Sequence, residues 1–460
     1  MDIEKYISIL EKESKYAEIR LMKIKTNSIT YKNGIIVGIE SSEVEGLAMR
    51  VLNNNFAFVS TNSFQESDIK RSIERVIKIS KMKEKRNVLL SNEKAIKDSY
   101  IVEEKRKIED FPLEEKISIL SDIDKSLNEN NLPMRILHLR DKIQDIEYIN
   151  TEGTWIHGII PNIYYFFYVG ALENGNFEQV SREYGMSGGY EFVKDMDIMG
   201  KSVEESKKLL KILKAKKLPE GKMDVIIGPE VSGIVAHESS GHPMEADRVI
   251  GREAAQAGES FVKVDSIGQR IGTDLVNVVD DPTIERSFGY MKYDFEGVKT
   301  RKKYLYKNGI INEFLLNREF AGFLGMESNG SARSSSWDVE PIVRMSNTYI
   351  EPGDFTLEEM VKDVKYGILM NSFTEWNIDD IRFNEKYVGR EAYLIENGEI
   401  KEPVRRPVLE TTTLKFFSSV DAVSKDLEFF AGTCGKGDPM QGVDVWMGGP
   451  YVRLRDIYIR

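Results

Sequence analysis

Residues 17–60 alternate apolar and polar side chains in three runs, AEIRLMKI, SITYKNGIIVGIES and GLAMRVLNNNFAFVST. A period of two turns one face of each run to a core and the other to solvent, so these runs read as strands. Asn33-Gly34 and the Asn53, Asn54, Asn55 cluster separate them. Both are turn signals, and short turns of this kind pair the strands antiparallel. Helical patterns flank and follow this unit. Residues 1–16 place Ile3, Tyr6, Ile7 and Leu10 on one face and carry no basic stretch ahead of an apolar core. They read as an amphipathic helix and not as a secretory signal.

A second helix is expected near 66–83, and a third after Pro112, with the proline just inside its start. Residues 144–172 are strand-like, with YYFFY at 164–168 as a buried strand. A helix over 202–217 is marked by the capping-box pair Ser202 and Glu205 and by Leu209, Leu210, Ile212 and Leu213. Pro219 and Gly221 then interrupt the pattern. This places the main boundary between domains 1–218 and 219–460. The second half opens with a strand at 223–228 and continues mostly as β. Hairpin turns are expected at Lys307-Asn308-Gly309 and Asn397-Gly398, and a helix capped by Thr356 and Glu359 ending near Gly367. The class expected is α+β: an N-terminal mixed α/β domain and a C-terminal, largely antiparallel β domain.

Composition excludes several functions. Lys+Arg is 64 and Asp+Glu is 75, a net charge of −11. That balance argues against a nucleic-acid partner, which usually needs a basic face. No apolar run approaches the roughly 20 residues of a membrane helix, so no membrane partner is expected. Cys434 is the single cysteine of the chain. No intrachain disulfide can form, which fits a reducing compartment, most simply the cytoplasm.

The four histidines are His138, His157, His237 and His242. The first two have no nearby partners in sequence and are assigned to packing. The others lie in VSGIVAHESSGHPMEADRV, spaced His237-Glu238-x-x-x-His242. On an ideal helix, residues five apart differ by about 140° and cannot aim at one ion. Gly241 weakens the helix, and Pro243 disfavours the α conformation at His242. The helix therefore ends or distorts at Gly241, or takes a π-type bulge, and either lets His242 swing back toward His237.

Two imidazoles are too few to hold zinc tightly. Cys434, in the Gly-rich segment AGTCGKGDPMQG read as a loop, is the best third candidate. Three donors leave a tetrahedral position open for water, the arrangement of a catalytic zinc site. Glu238 is placed to take a proton from that water and pass it to a leaving amine. Glu245 and Asp247 are read either as groups orienting a histidine from behind or, equally, as a solvated acidic helix face. Arg333 and Arg344 are candidates for substrate recognition, with structural roles favoured.

These residues resemble a known family. GLAMRV at 46–51, FAFVSTN at 56–62, SREYG and GYE within 181–191, HESSGH at 237–242, YDFEGV at 293–298, PIVRMSNTYI at 341–350 and the Cys434-Gly435 pair are similar to the TldD/PmbA family. The resemblance covers nearly the whole chain. It implies an N-terminal α+β domain, a C-terminal domain holding zinc through His237, His242 and Cys434, and Glu238 acting in catalysis. With all four present, the chain resembles the TldD branch and not the TldE/PmbA branch, which lacks the motif. It further implies homodimers, or heterodimers with a TldE/PmbA-like subunit, that cut unfolded or flexible peptides inside the cell. Pro243 and Met244 depart from the family, which often has Gly and an apolar residue there.

Two functions follow for testing. One is a zinc peptidase whose peptide substrates add a strand to a sheet edge near the metal. The other is a non-catalytic binding or assembly subunit of a TldD/TldE-like complex. A role as gyrase regulator has no support from the acidic balance.

Overall fold

The computed structural model describes residues 2–83, 88–130, 132–173, 175–252, 258–437 and 439–460. Its first part is α1 (Glu4–Glu11), β1 (Tyr16–Lys32), β2 (Ile35–Leu52), β3 (Phe56–Thr61), α2 (Glu66–Ser80), β4 (Lys97–Ile101), α3 (Leu113–Asn128), β5 (Met134–Asn150), β6 (Trp155–Glu173), β7 (Asn176–Ser187), α4 (Phe192–Asp195) and α5 (Ile198–Ile212). The strands form one sheet in the order β3-β2-β1-β5-β6-β4, with β7 also on β6. The β1–β2 turn is the Asn33-Gly34 pair, with φ of 47° and 84°. Positive φ at both central residues matches the strand twist. Ile3, Tyr6, Ile7 and Leu10 of α1 are buried with Ile69, Ile73 and Val76 of α2 on this sheet.

The second part is β8 (Gly221–Ile227), α6 (Pro229–Ala236), α7 (Ala246–Ile250), β9 (Val278–Asp280), β10 (Lys303–Lys307), β11 (Ile310–Ile311), α8 (Arg318–Leu324), β12 (Ala332–Arg333), β13 (Ile342–Val343), β14 (Asn347–Ile350), α9 (Leu357–Lys362), β15 (Tyr366–Met370), β16 (Phe373–Ile378), β17 (Asn384–Gly389), β18 (Ala392–Glu396), β19 (Glu399–Pro403), β20 (Val408–Thr412), α10 (Thr413–Ser418), β21 (Val420–Val423), β22 (Glu428–Lys436), β23 (Gln441–Gly449) and β24 (Val452–Ile459). Two sheets dominate. One runs β11-β10-β9-β14-β23-β22, the other β16-β17-β20-β24-β8-β15-β18-β19 with β21 on β24. Both expected hairpins are present, with Asn308 and Asn397 at φ of 50° and 51°. The chain is a β-rich mixture of helices and strands.

Several expectations need correction. The helix expected over 202–217 spans Ile198–Ile212, capped by Asp197 accepting from the Gly200 amide. Ser202 and Glu205 are interior. The Ser202 hydroxyl donates back to the Ile198 carbonyl, and Glu205 pairs with Arg182 and Arg390. A buried ion cluster, not a cap, explains the glutamate. Pro112 is the N-cap of α3 and not its first turn. The Thr356–Glu359 capping box forms, but the helix stops at Lys362. The second half also holds parallel pairs, β8 with β15 and β14 with β23.

Candidate metal centre

Pro229 opens α6 at its first helical position, where a missing amide hydrogen costs nothing. The helix lies directly on β23. A Cβ on Gly233 would meet the Gly448 amide nitrogen at 3.1 Å, and one on Gly449 would meet the Ser232 hydroxyl at 2.0 Å. These glycines let helix and strand approach closely.

The α pattern breaks at His237. Residues His237–Gly241 form a π turn, followed by a 3-10 turn over His242–Met244. The His242 amide donates to the His237 carbonyl. This i→i+5 bond stacks residues five apart, as α bonding stacks residues four apart. It resolves the spacing problem: the rings of His237 and His242 lie 5.0 Å apart at 84°. A π turn disturbs the regular carbonyl ladder, and the Ser239 carbonyl accepts from the Tyr306 hydroxyl at 3.0 Å. A Cβ at Gly241 would sit 1.8 Å from Met345 Sδ. Gly241→Ala is expected to destabilise the chain by about 1–3 kcal/mol through this overlap, read as a lower midpoint in urea unfolding.

Cys434 lies inside strand β22, not in a loop as its glycine-rich surroundings suggest; Asp438 of that segment lies outside the described residues. It pairs in register with Val443 of β23, the strand that carries α6. The Cys434 Sγ lies 3.5 Å from His242 Nε2. Donor atoms of His237, His242 and Cys434 all fall within 4.8 Å of one another, and all three residues are buried. Nitrogen and sulfur ligands of one tetrahedral zinc ion stand about 3.5 Å apart. The donor set therefore fits zinc.

The electrostatics agree. Burial alone would raise the Cys434 thiol, but His242, His237 and Arg344 hold it well below its ordinary value. Burial would lower His237, yet the Cys434 thiolate raises it. Thiolate is the ligating form of cysteine. His237 Nδ1 is buried with no hydrogen-bond partner among the described residues. The Glu245 carboxylate lies 2.9 Å from His242 Nδ1. A carboxylate accepts, so Nδ1 carries the proton and Nε2 faces the thiol with its lone pair.

Glu245 is itself fully buried. Burial would raise it, but Lys436, His242 and Arg248 together hold it well below the usual carboxylate range. Asp247 does not reach a histidine; it takes the Lys436 ammonium at 2.7 Å and 2.8 Å. Lys436 also lies 3.3 Å from Glu245 and has no exposed side-chain surface. Lys436→Met would take the ion-pair partner from the buried Asp247 carboxylate and leave Glu245 with Arg248 and His242, at a cost of about 3–5 kcal/mol. Denaturant unfolding checks this, and a change under about 1 kcal/mol would contradict it.

The three donors open on a cavity of about 610 Å³ that Glu238 also lines. Its walls include β16 at 373–376, β22 at 430–435 and four residues of β7, Gln179, Ser181, Arg182 and Glu183. Sequence reasoning missed two neighbours of the motif. Arg382 donates to Glu238 at 2.6 Å. Glu385 accepts from the hydroxyls of Ser239 and Tyr387, and burial pushes it up to about 7. Each is more than 140 residues from its motif partner, and no local signal marks either.

Arg333 and Arg344 serve the framework. Arg344, fully buried, donates to the carbonyls of Cys434 and Gln441. Arg333 donates to those of Met345 and Asp444 at 2.7 Å and 2.8 Å. His138 and His157 stand on the first sheet, bonded to Thr30 at 3.0 Å and Asp145 at 2.8 Å.

Family profiles match three stretches: PmbA/TldA metallopeptidase domain 1 over 17–80, the central domain over 106–214 and the C-terminal domain over 220–460. A metalloprotease of Methanocaldococcus jannaschii is 35% identical over 457 residues, 98% of each chain. A zinc metalloprotease TldD homolog of Saccharolobus solfataricus is 28% identical, covering 99% of each. Among solved structures, TldE from Thermococcus kodakarensis superposes with a TM-score of 0.77 at 17% identity, over 99% of each chain. A candidate modulator of a DNA gyrase from Thermotoga maritima superposes at 0.80, also with 17% identity, over 100% of each. By sequence over nearly its full length, the chain belongs to the PmbA/TldD metallopeptidase family.

Proposed function

We propose that this chain is a zinc-dependent peptidase that hydrolyses peptide bonds in unfolded or flexible peptides. One observation carries the reading: two imidazoles and a thiolate converge beside a carboxylate on the wall of one cavity. His237, His242 and Cys434 would hold the metal, leaving room for a fourth ligand. Bound zinc would supply a Lewis acid that makes water more acidic and polarises a carbonyl.

The protein's own groups do the rest. Glu238 takes the proton of the attacking water and returns it to the leaving amine. Glu245 keeps His242 in the ligating tautomer, and Lys436 keeps Glu245 ionised. Strands β16 and β22 each end their sheet order, and both line the cavity. An extended peptide can add to such an edge through its main chain, with little demand on its sequence. Folded proteins keep their backbone groups paired, so flexible chains are favoured.

The same proposal includes the division into 1–218 and 219–460, supported by sheets whose strands lie wholly on one side of that point. It includes a homodimer or a heterodimer with a TldE/PmbA-like subunit, on the strength of the family membership. It includes a cytoplasmic setting, supported by the free thiol, and no nucleic-acid partner, supported by the acidic charge. No helix among the described residues is long and apolar enough to cross a membrane. The test is metal quantification on protein purified without chelators, with a peptide-library digest read by mass spectrometry. Stoichiometric zinc and chelator-sensitive cleavage support the reading. A chain that binds no metal and cleaves nothing is instead a binding subunit.

A further inference from the structure

The turn between β16 and β17 contains a strained residue. Arg382 has a φ of 64°, a left-handed backbone that a side chain rarely adopts. The turn is braced from several sides. The Arg382 amide donates to the Asp379 carbonyl at 3.0 Å, and its own carbonyl accepts from the Thr413 hydroxyl at 3.0 Å. The Asp379 carboxylate accepts from the Phe383 amide at 2.7 Å and from Asn384 Nδ2 at 2.6 Å. The Phe261 amide donates to the Ile381 carbonyl at 2.8 Å. Strain persists where the surroundings over-determine it, and such places cluster at functional sites.

The side chain shows what this turn serves. Arg382 Nη1 donates to Glu238 Oε2 at 2.6 Å, and the two side chains are only 17% and 6% exposed. This is a desolvated, charge-assisted bond and not a surface ion pair. The planar guanidinium fixes the direction of the carboxylate as well as its charge. Arg382 Nε is buried with no hydrogen-bond partner among the described residues, and the residue lines the same cavity as Glu238.

We propose that Arg382 positions Glu238 with one guanidinium nitrogen and offers its remaining donors to the carbonyl oxygen of the scissile peptide bond. The inference rests on the peptidase reading above and adds a group that touches substrate. When the oxygen of water bonds to the carbonyl carbon, the π pair moves onto the carbonyl oxygen, and the Arg382 donors stabilise that charge. The proton of the water passes to Glu238. When the C–N bond breaks, the pair returns to the carbonyl and the proton goes to the departing amine. Donors held ready in a desolvated site stabilise such a charge without reorganising.

Two variants test this. Arg382→Gly removes the side chain at a backbone angle glycine accepts, and Arg382→Lys keeps the charge without the fork. For the glycine variant, kcat is expected to fall about 10²-fold, with KM nearly unchanged and zinc content at the wild-type level. Added guanidinium is expected to restore part of the rate, which a merely structural loss would not allow. Calorimetry with a phosphinic peptide, which mimics the tetrahedral state, should show about 10²-fold weaker binding, while a product peptide binds as before. The lysine variant should fall between the two; if the glycine variant fails to fold, the lysine variant carries the same readouts. A folded Arg382→Gly enzyme with wild-type kcat and unchanged phosphinic-peptide affinity overturns this inference alone. A wild-type chain that cleaves no peptide overturns the peptidase reading together with it.

Discussion

Glu238→Gln is expected to lower kcat by about 10³-fold while leaving bound zinc at its wild-type level. The substitution keeps size and shape, so the 2.6 Å bond from Arg382 survives on the amide oxygen. What disappears is the capacity to accept a proton. A positioned general base contributes about 10²–10⁴ in rate, and 10³ corresponds to about 4 kcal/mol of activation free energy. Another carboxylate that bonds to the π turn is Glu385 of β17, which accepts from Ser239 and is pushed up to about 7 by burial. It is not among the residues that line the cavity with Glu238, so it is not placed to take the proton in its stead. Steady-state kinetics with metal analysis on the same sample decides the matter. Activity within a factor of about three of wild type would remove Glu238 from the chemistry.

Cys434→Ala is expected to lose the metal first and the activity with it. Zinc sites with four protein ligands bind with about 10–16 kcal/mol, so one ligand is worth about 2.5–4 kcal/mol and its removal weakens zinc by about 10²–10³-fold. The local charge balance sharpens the effect. In the metal-free fold the thiolate raises His237 against the opposing effect of burial. Without it, burial acts on that imidazole against only the smaller raising effects of Glu238 and Glu245. The alanine variant should still fold, because position 434 sits between strand neighbours in a large core and a small apolar group fits there. Competition with a chromogenic chelator measures the affinity, and circular dichroism checks the fold. Unchanged zinc affinity would take Cys434 out of the ligand set.

The parts of this architecture that could be read from the chain are those held by local interactions. The β1–β2 hairpin follows from alternation plus Asn33-Gly34, and the α1 face follows from Ile3, Tyr6, Ile7 and Leu10 at helical spacing. The π turn was one of the expected ways out of the five-residue histidine spacing, because Gly241 and Pro243 weaken the α pattern beside it. Where long-range contacts decide, local signals mislead. Ser202 and Glu205 have the spacing of a cap, yet Arg182 and Arg390 draw the glutamate into a buried ion cluster. The glycines around Cys434 look like a loop, but Gly432 faces Met447 Cε at 2.7 Å from where its Cβ would be, within a paired strand. The parallel pairs of β8 with β15 and β14 with β23 join segments about a hundred or more residues apart and leave no local trace. Arg382 was invisible for the same reason: its partner lies 144 residues away.

The most direct test of the metal centre is anomalous X-ray scattering from crystals of the native protein, recorded on either side of the zinc absorption edge. The expected result is a single peak bounded by His237, His242 and Cys434, about 2.0–2.3 Å from each donor atom, that vanishes below the edge. A map with no peak among these three residues, in crystals shown by fluorescence to contain zinc, would contradict it.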